Sequence, residues 1–452
     1  MKNIELVLNK QKDENNSKRM SLSYRIELLN KLKTNILKYE DKIYDALKIE
    51  LAKTPHESYS SEISLILNEI DYFVKNLKKI SKPKSINNKF PFWFSSNNKI
   101  INEPYGTVLI MSPFNYPFQL LFVPLIGAIA SGNRAFVKVS PLSTSSTPVI
   151  RSVLADTFSE EIVFFVENTK ENIDILFDLK FDFVFFTGST NMGKIISSKL
   201  ASSLIPMVLE LGGKCPVIID NNVDLCLTIK RLLWGKLLNV GQTCIAADYV
   251  IVNSLIYDDF ISELIRQLKS NYNNALCDEK FGKIIDLNNF NRLLTMINKQ
   301  KILFGGKSDI DSLKIEPTII EIDNTNNILL KEEIFGPILP ILKYGKIDEI
   351  LNIINLNPDP LAIYVFTQDN KFAKTIFDKT RSGSFVINDV LFQITKQLPF
   401  GGIKNSGIGN YHFLWSFKCF TYERPYVKTS KISHQLRFEP HKVSLKKLKS
   451  II

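Results

Sequence analysis

Phe181-Asp182-Phe183-Val184-Phe185-Phe186-Thr187-Gly188-Ser189-Thr190-Asn191-Met192-Gly193-Lys194 runs from a short apolar strand through a glycine-bearing turn into the start of a helix. The backbone N–H groups that open such a helix have no partner within it and can meet a phosphate. Gly188, Gly193 and Lys194 nearly complete the GxxxxGK[ST] loop of magnesium-nucleotide enzymes. Ile195 stands where that loop needs a hydroxyl for the metal, so nucleotide hydrolysis gives way to a dinucleotide-binding turn. Taken alone, the same residues also fit a plain strand-to-helix turn.

Outward from this stretch the alternation continues. Apolar runs at Thr107 to Met111, Ala135 to Val139 and Ile162 to Val166 alternate with helical stretches at about Phe118 to Ser131 and near Asn172 to Leu179. The Ser143 to Thr147 cluster can cap another helix between them. Pro216 to Ile219, Tyr249 to Val252 and Ala362 to Phe366 carry the pattern into a second unit. Continuous apolar strands separated by helices predict a parallel sheet covered on both faces, and hence an α/β fold. Before it, Ile26, Leu29, Leu32, Ile36 and Tyr39, then Ile63, Ile66, Ile70 and Phe73, recur at helical spacing, so about Ser21 to Lys79 is helical. Lys82 to Asn98, with Pro83, Pro91, Phe92 and Trp93, is an extended connector.

With 452 residues the chain is long enough for two or three domains. The net charge of +11 and pI near 9.1 raise nucleic-acid binding, but Lys and Arg are spread among Asn and Ile, which is compositional bias. Only the end is concentrated: Lys442, Lys446, Lys447 and Lys449 among Val443, Leu445 and Leu448 make a solvated tail or a weak contact with an anionic membrane surface. Five cysteines without a CxxC pair indicate neither a disulfide framework nor a zinc site, and no metal is expected. Met1 to Arg19 lacks the apolar stretch of a secretory signal, and Tyr116 to Ala130 falls short of a membrane span. A cytoplasmic location is expected.

Two motifs carry the chemistry. Asn239-Val240-Gly241-Gln242-Thr243-Cys244 sets a thiol behind small residues, where a backbone can approach bound substrate. Leu209-Glu210-Leu211-Gly212-Gly213-Lys214 sets a carboxylate between strand and glycines, a base for that nucleophile. Pro113-Phe114-Asn115-Tyr116-Pro117 closes the first apolar strand; Asn115 can aim an amide at an oxyanion, or serve only a proline-bounded turn. Lys138 ends the next strand, able to bind a ribose or phosphate or simply to be solvated. Glu332-Glu333-Ile334-Phe335-Gly336-Pro337 places a carboxylate near a ring, fit for ribose hydroxyls or for a charged turn. Pro399 to Gly409 is dense in glycine. None of His56, His412, His434 and His441 is placed by sequence to serve Cys244.

Together these residues resemble the aldehyde dehydrogenase superfamily from about Ser21 to Tyr426, in the family's motif order. Trp234-Gly235-Lys236, Ala247-Asp248-Tyr249, Pro360-Leu361-Ala362, Asn388-Asp389-Val390 and Asn410-Tyr411-His412 resemble its class 3 branch of fatty and aromatic aldehyde dehydrogenases. The resemblance implies a Rossmann-type parallel-sheet cofactor domain (104–209, with helical residues 1–80), a second α/β catalytic domain (210–400), a bridging arm for oligomerisation (81–103 and 415–435) and a basic tail (436–452). It implies that Cys244 attacks an aldehyde, that Asn115 and the Cys244 N–H hold the oxyanion, and that Glu210 activates water against the thioester. It places Lys138, Gly188, Ser189, Gly193, Leu211, Glu333 and Phe335 at the dinucleotide. Pro141 stands where many relatives carry a ribose-binding glutamate, which keeps both NAD and NADP open, and Phe114 replaces the usual tryptophan. The implied partners are a small aldehyde, medium- to long-chain or aromatic, and a second copy in a homodimer, with no nucleic acid. Two alternatives are a coenzyme A-acylating relative and a non-enzymatic basic surface-binding protein.

Overall fold

Apolar residues at helical spacing build the first 80 residues into α1 (Ile4–Ser17), α2 (Leu22–Lys38), α3 (Glu40–Leu51), α4 (Pro55–Ser58) and α5 (Ser64–Ile80), with a π-helical turn at Tyr59–Ile63. This is a computed structural model, and it describes residues 4–17, 19–86, 96–429, 431, 438–440 and 444–451. Ser21 caps α2 by accepting from Tyr24 N, and Thr54 caps α4 by accepting from Glu57 N, with Pro55 opening that helix. Leu29, Leu32 and Ile36 of α2 and Ile66, Ile70 and Phe73 of α5 are fully buried in one core. The polar stretch before Ser21 is helical as well, because Ile4 and Leu8 pack among Leu109, Phe136 and Phe181.

The connector contributes β1 (Lys84–Ile86) and β2 (Ser96–Pro104); Pro91, Phe92 and Trp93 lie outside the described residues. The first sheet then forms from parallel strands β3 (Thr107–Met111), β4 (Arg134–Lys138), β5 (Val163–Phe165), β6 (Phe183–Thr187) and β7 (Met207–Glu210), in the order β7-β6-β3-β4-β5. Its crossovers are α6 (Gln119–Ser131), α7 (Ser146–Thr157), α8 (Lys170–Leu176) and α9 (Thr190–Ala201). Every residue of α6 is buried, which explains a helix apolar on all sides. Gly132, at φ 97°, ends it. Among the described residues no helix is long and apolar enough to cross a membrane.

The second sheet comprises β8 (Pro216–Ile219), β9 (Tyr249–Asn253), β10 (Lys301–Phe304), β13 (Thr318–Glu321), β14 (Ile338–Tyr344), β15 (Ala362–Phe366) and β16 (Ser384–Ile387), with a hairpin of β11 (Ser308–Asp309) and β12 (Lys314–Ile315) beside it. The order is β10-β13-β14-β9-β8-β15-β16, parallel except for β10 against β13. Helices α10 (Leu225–Leu237), α11 (Tyr257–Tyr272), α12 (Leu287–Ile297), α13 (Ile347–Ile354) and α14 (Asn370–Lys379) accompany it. The chain then returns: β17 (Gly407–Ile408) pairs antiparallel with β7, setting Gly407 opposite Glu210. After α15 (Leu414–Cys419), β18 (Thr421–Thr429) runs antiparallel along β2, from Thr421 opposite Pro104 to Thr429 opposite Ser96.

One expected boundary shifts. Glu210 closes the first sheet rather than opening the second unit, since its backbone pairs with Thr187. The glycine-dense loop rejoins the first sheet. The tail contains α16 (Leu445–Ile451), while residues 430, 432–437, 441–443 and 452 lie outside the described residues.

Candidate active site

The strand ends just described enclose two cavities. One, of about 790 Å³, is lined by Pro113, Phe114, Asn115, Gly188, Ser189, Thr190, Leu211, Gly212, Gly213, Glu333 and Phe335. The other, of about 650 Å³, is walled by Trp234, Leu237, Leu238, Tyr272, Phe281, Leu391, Phe392, Ile394, Phe400 and Tyr411. They share Leu120, Thr187, Glu210, Leu211 and Cys244. A molecule in either cavity therefore reaches the same thiol and the same carboxyl.

Cys244 owes its place to a strained turn. After α10, Asn239, Val240 and Gly241 adopt φ of 50°, 57° and 77°, a left-handed run that Asn and Gly tolerate and a β-branched valine resists. A Cβ on Gly241 would lie 2.3 Å from Gly336 O, so only glycine fits. The turn is held from outside: Asn239 N donates to Glu57 Oε1 (2.8 Å), and Asn239 Nδ2 donates to Asn115 O (2.9 Å). Gln242 spans the gap to the next loop, donating to Lys283 O (3.0 Å) and accepting from Ile285 N (3.1 Å). Such strain persists only where its surroundings over-determine it.

Asn115 is buried, and its Nδ2 donates to Gln242 O (2.9 Å), two residues before the cysteine. Its Oδ1 has no partner. Thr243 and Tyr116 hydroxyls meet at 2.6 Å, tying the two motifs a second time. Tyr364 Oη donates to Ile245 O (2.7 Å) and fixes the far side of the cysteine.

The electrostatics are those of a resting site. Burial pushes the Cys244 thiol up to about 12, with Glu333 and Glu210 adding, against backbone N–H groups of Cys244 and Ile245 that favour the thiolate. Glu210 is buried with both carboxylate oxygens unpartnered, and desolvation lifts its pKa well above the usual range. The base expected from the sequence is therefore held toward its protonated form in this packing. It becomes a base only when water or a polar partner reaches it.

The larger cavity has the features of a dinucleotide cleft. Ser189 caps α9, its hydroxyl accepting from Met192 N (3.3 Å), and the helix N-terminus beyond it faces the cavity. Gly193 lies beneath the lining: a Cβ there would meet Leu211 Cδ2 at 2.6 Å. The Glu333 carboxylate lies against the Gly212 backbone, where a Cβ would come within 2.0 Å of it. Burial, with Asp248 adding, raises Glu333 to about 8, against the Gly213 N–H, Lys214 and Arg292. Phe335 and Phe114 meet edge to face at 5.9 Å. Thr187 Oγ1 is buried without a partner at the junction of the two cavities. A glycine-lined groove, a helix N-terminus and unsatisfied polar atoms fit a nicotinamide dinucleotide.

Of the expected set, Gly193 and Lys138 do not line the cleft, and Lys138 has no contact with a residue that does. It ends β4, half-buried, with Nζ 3.4 Å from Val139 O. Several supporting residues were not singled out from sequence. Lys214 pairs with buried Asp248 and donates to Leu329 O (2.7 Å) and Glu332 O (2.9 Å), while Arg292 donates to Ile334 O (2.7 Å), so that together they clamp the turn carrying Glu333. Lys214 and Asp248 sat in quoted motifs, but nothing in their spacing shows that they meet.

Known proteins resemble the chain over nearly its whole length. A sequence model of the aldehyde dehydrogenase family matches residues 5–425. The chain is 39% identical over 441 residues to a 4,4'-diaponeurosporen-aldehyde dehydrogenase of Staphylococcus aureus, covering 96% of each. It is 37% identical over 406 residues to aldehyde dehydrogenase family 3 member A2 of Rattus norvegicus, covering 89% of this chain and 84% of that one. Its fold matches the substrate-bound state of Staphylococcus aureus AldH with a TM-score of 0.96 at 38% identity, covering 100% and 99%.

Proposed function

The chain belongs to the aldehyde dehydrogenase family, and from that premise we propose that it oxidises long, apolar aldehydes, with Cys244 as nucleophile and Glu210 as the base for hydrolysis. It is an oxidoreductase that converts aldehydes to carboxylic acids with NAD or NADP. The observation that carries the residue roles is the convergence of a polar cleft and an apolar funnel on Cys244 and Glu210.

In this reading the aldehyde enters by the funnel and the dinucleotide by the cleft. Cys244 Sγ bonds to the carbonyl carbon as its proton passes through water to solvent, because burial pushes the thiol up to about 12 and leaves little thiolate beforehand. Asn115 Nδ2 and the Cys244 N–H receive the oxyanion. A nicotinamide held in the cleft would supply the hydride acceptor that this oxidation needs. Leu211 and Phe335 wall the cleft, Glu333 is set to hold the ribose, and Ser189 with the start of α9 is set against the pyrophosphate. Glu210 then takes a proton from water attacking the thioester carbon, releasing acid and free thiol.

The apolar funnel supports the substrate class, as does the aldehyde for which the Staphylococcus aureus relative is named. Trp234 and Phe392 stand together in its wall, their ring centroids 6.4 Å apart. Each buried methylene is worth about 0.8 kcal/mol, so kcat/KM should climb by up to about fourfold per carbon until the funnel is filled. Initial rates across a straight-chain aldehyde series, with NAD and NADP in parallel, test this. A flat or falling profile from short to long chains would sink it.

A homodimer built through the arm, a weak contact of the basic tail with anionic membranes and a reducing, cytoplasmic setting complete the reading. Exposed Tyr422, Tyr426 and Val427 on β18 support the first, exposed Leu445 beside lysines the second, and five unpaired cysteines the third. Size exclusion with light scattering, run with and without anionic vesicles, should give twice the 51.7 kDa chain mass and a minor vesicle-bound fraction that salt removes. A monomer peak that ignores vesicles would count against both the dimer and the membrane contact.

A further inference from the structure

Lys53, on the loop after α3, is 191 positions from Cys244 in sequence (244 − 53), yet it is 1% exposed and lies under the active site. Its ammonium donates to Glu62 Oε1 (2.7 Å) and to Asn115 O (2.8 Å), and sits 4.0 Å from the centre of the Tyr116 ring. Two acceptors and an aromatic face thus surround the ammonium. Asn239 Nδ2 donates to the same Asn115 carbonyl (2.9 Å). Glu62, fully buried, spends its other oxygen on Phe118 N (2.9 Å) and Gln119 N (3.3 Å), at the opening of α6.

We propose that Lys53 is a positioning residue of the oxyanion site, acting through the main-chain carbonyl of Asn115 with Glu62 as its anchor. A buried ion pair is a poor device for stability, because desolvating both charges offsets most of their attraction, and an apolar pair of similar volume serves a core as well or better. What an apolar pair cannot do is donate to Asn115 O. That bond and the one from Asn239 fix the peptide plane after Asn115, and with it the direction of the side-chain amide whose other link is to Gln242 O. A misplacement near 1 Å costs about 100-fold in rate, so a charge-assisted bond at this carbonyl has large leverage.

This inference rests on Asn115 being the oxyanion donor. The test is a double-mutant cycle read by single-turnover formation of reduced cofactor. Lys53→Met combined with Glu62→Gln removes both charges while the glutamine oxygen keeps the two caps on α6. It is expected to fold, to bind cofactor normally and to slow the single turnover by about 30-fold with little change in aldehyde KM. In an Asn115→Ala background the same pair should cost less than about twofold, since the group it positions is gone. Glu62→Gln alone, the milder arm should the pair misfold, is expected to give a smaller loss that also vanishes in Asn115→Ala. Equal losses in both backgrounds, or a full rate in the folded variant, would overturn the role of Lys53. An unchanged rate for Asn115→Ala by itself would overturn the oxyanion assignment and this inference with it.

Discussion

Cys244→Ala is expected to abolish aldehyde oxidation, by about 10⁴-fold or more, with cofactor affinity and thermal midpoint close to those of the wild type. The covalent route has no second thiol among the residues that the two cavities share: Cys215 is fully buried and spends its S–H on Cys244 O at 3.6 Å. The cleft that takes the dinucleotide is built by Gly188, Ser189, Leu211 and Glu333, none of which leans on the thiol for its position. A second readout follows from the raised pKa. Since the group titrates near 12, its thiolate fraction, and with it the alkylation rate at Cys244, should rise about tenfold per pH unit from 7 to 10. Cys226 and Cys277 are exposed and will react too, so the rate is taken as wild type minus Cys244→Ala. Turnover surviving in the purified variant would remove Cys244 from its role, and an alkylation rate flat with pH would show that the thiol is already ionised.

The fold was legible because its strands are unbroken apolar runs. Val108 to Ile110, Phe183 to Phe185 and Ile363 to Val365 are buried on both faces, as parallel strands between helices must be, and each was marked by hydrophobicity alone. Helix α1 was not legible, since its polar residues dominate and its apolar contact with the core comes from Ile4 and Leu8 with Val7 beside them. The reacting groups were legible for a different reason. Gly241 sits at φ 77° where a Cβ would strike the Gly336 carbonyl oxygen at 2.3 Å, so the backbone constraint beside Cys244 is written in the sequence as glycine. Lys53, Glu57 and Glu62 carry no such mark. They lie between the two apolar helical repeats of the entry segment, where the spacing asks nothing of them, and their partners Asn115, Asn239 and Phe118 are brought to them only by tertiary packing. The charge state of Glu210 was equally hidden: its motif announces a carboxyl, but whether that carboxyl is ionised depends on how completely β7, β17 and the two cavity walls exclude water from it.

That charge state gives the second large effect. In Glu210→Gln the first turnover should proceed, because forming the thioester needs the thiol, the oxyanion donors and the cofactor, whereas its hydrolysis needs a proton acceptor for water. Reduced cofactor is expected to appear as a burst near one equivalent per site, followed by a steady state slowed by about 10²- to 10⁴-fold. The pH dependence fixes the sign. Burial raises the folded pKa of Glu210, so below it the group is the neutral acid and above it the carboxylate that can take a proton. Wild-type steady-state turnover should therefore rise with pH through that raised value, and the rising limb should be missing in Glu210→Gln while the burst is unchanged. The glutamine also removes an ionisable group that folding holds neutral. In the wild type the unfolded carboxyl ionises from its ordinary pKa upward while the folded one keeps its proton, so this group makes stability fall as pH rises toward the folded pKa. The variant should be less sensitive to pH over that interval, read from thermal midpoints measured in parallel. If burst and steady state decline together, Glu210 acts in forming the thioester rather than in cleaving it; if neither declines, water is activated by another group and the carboxyl at the junction of the two cavities is not the base.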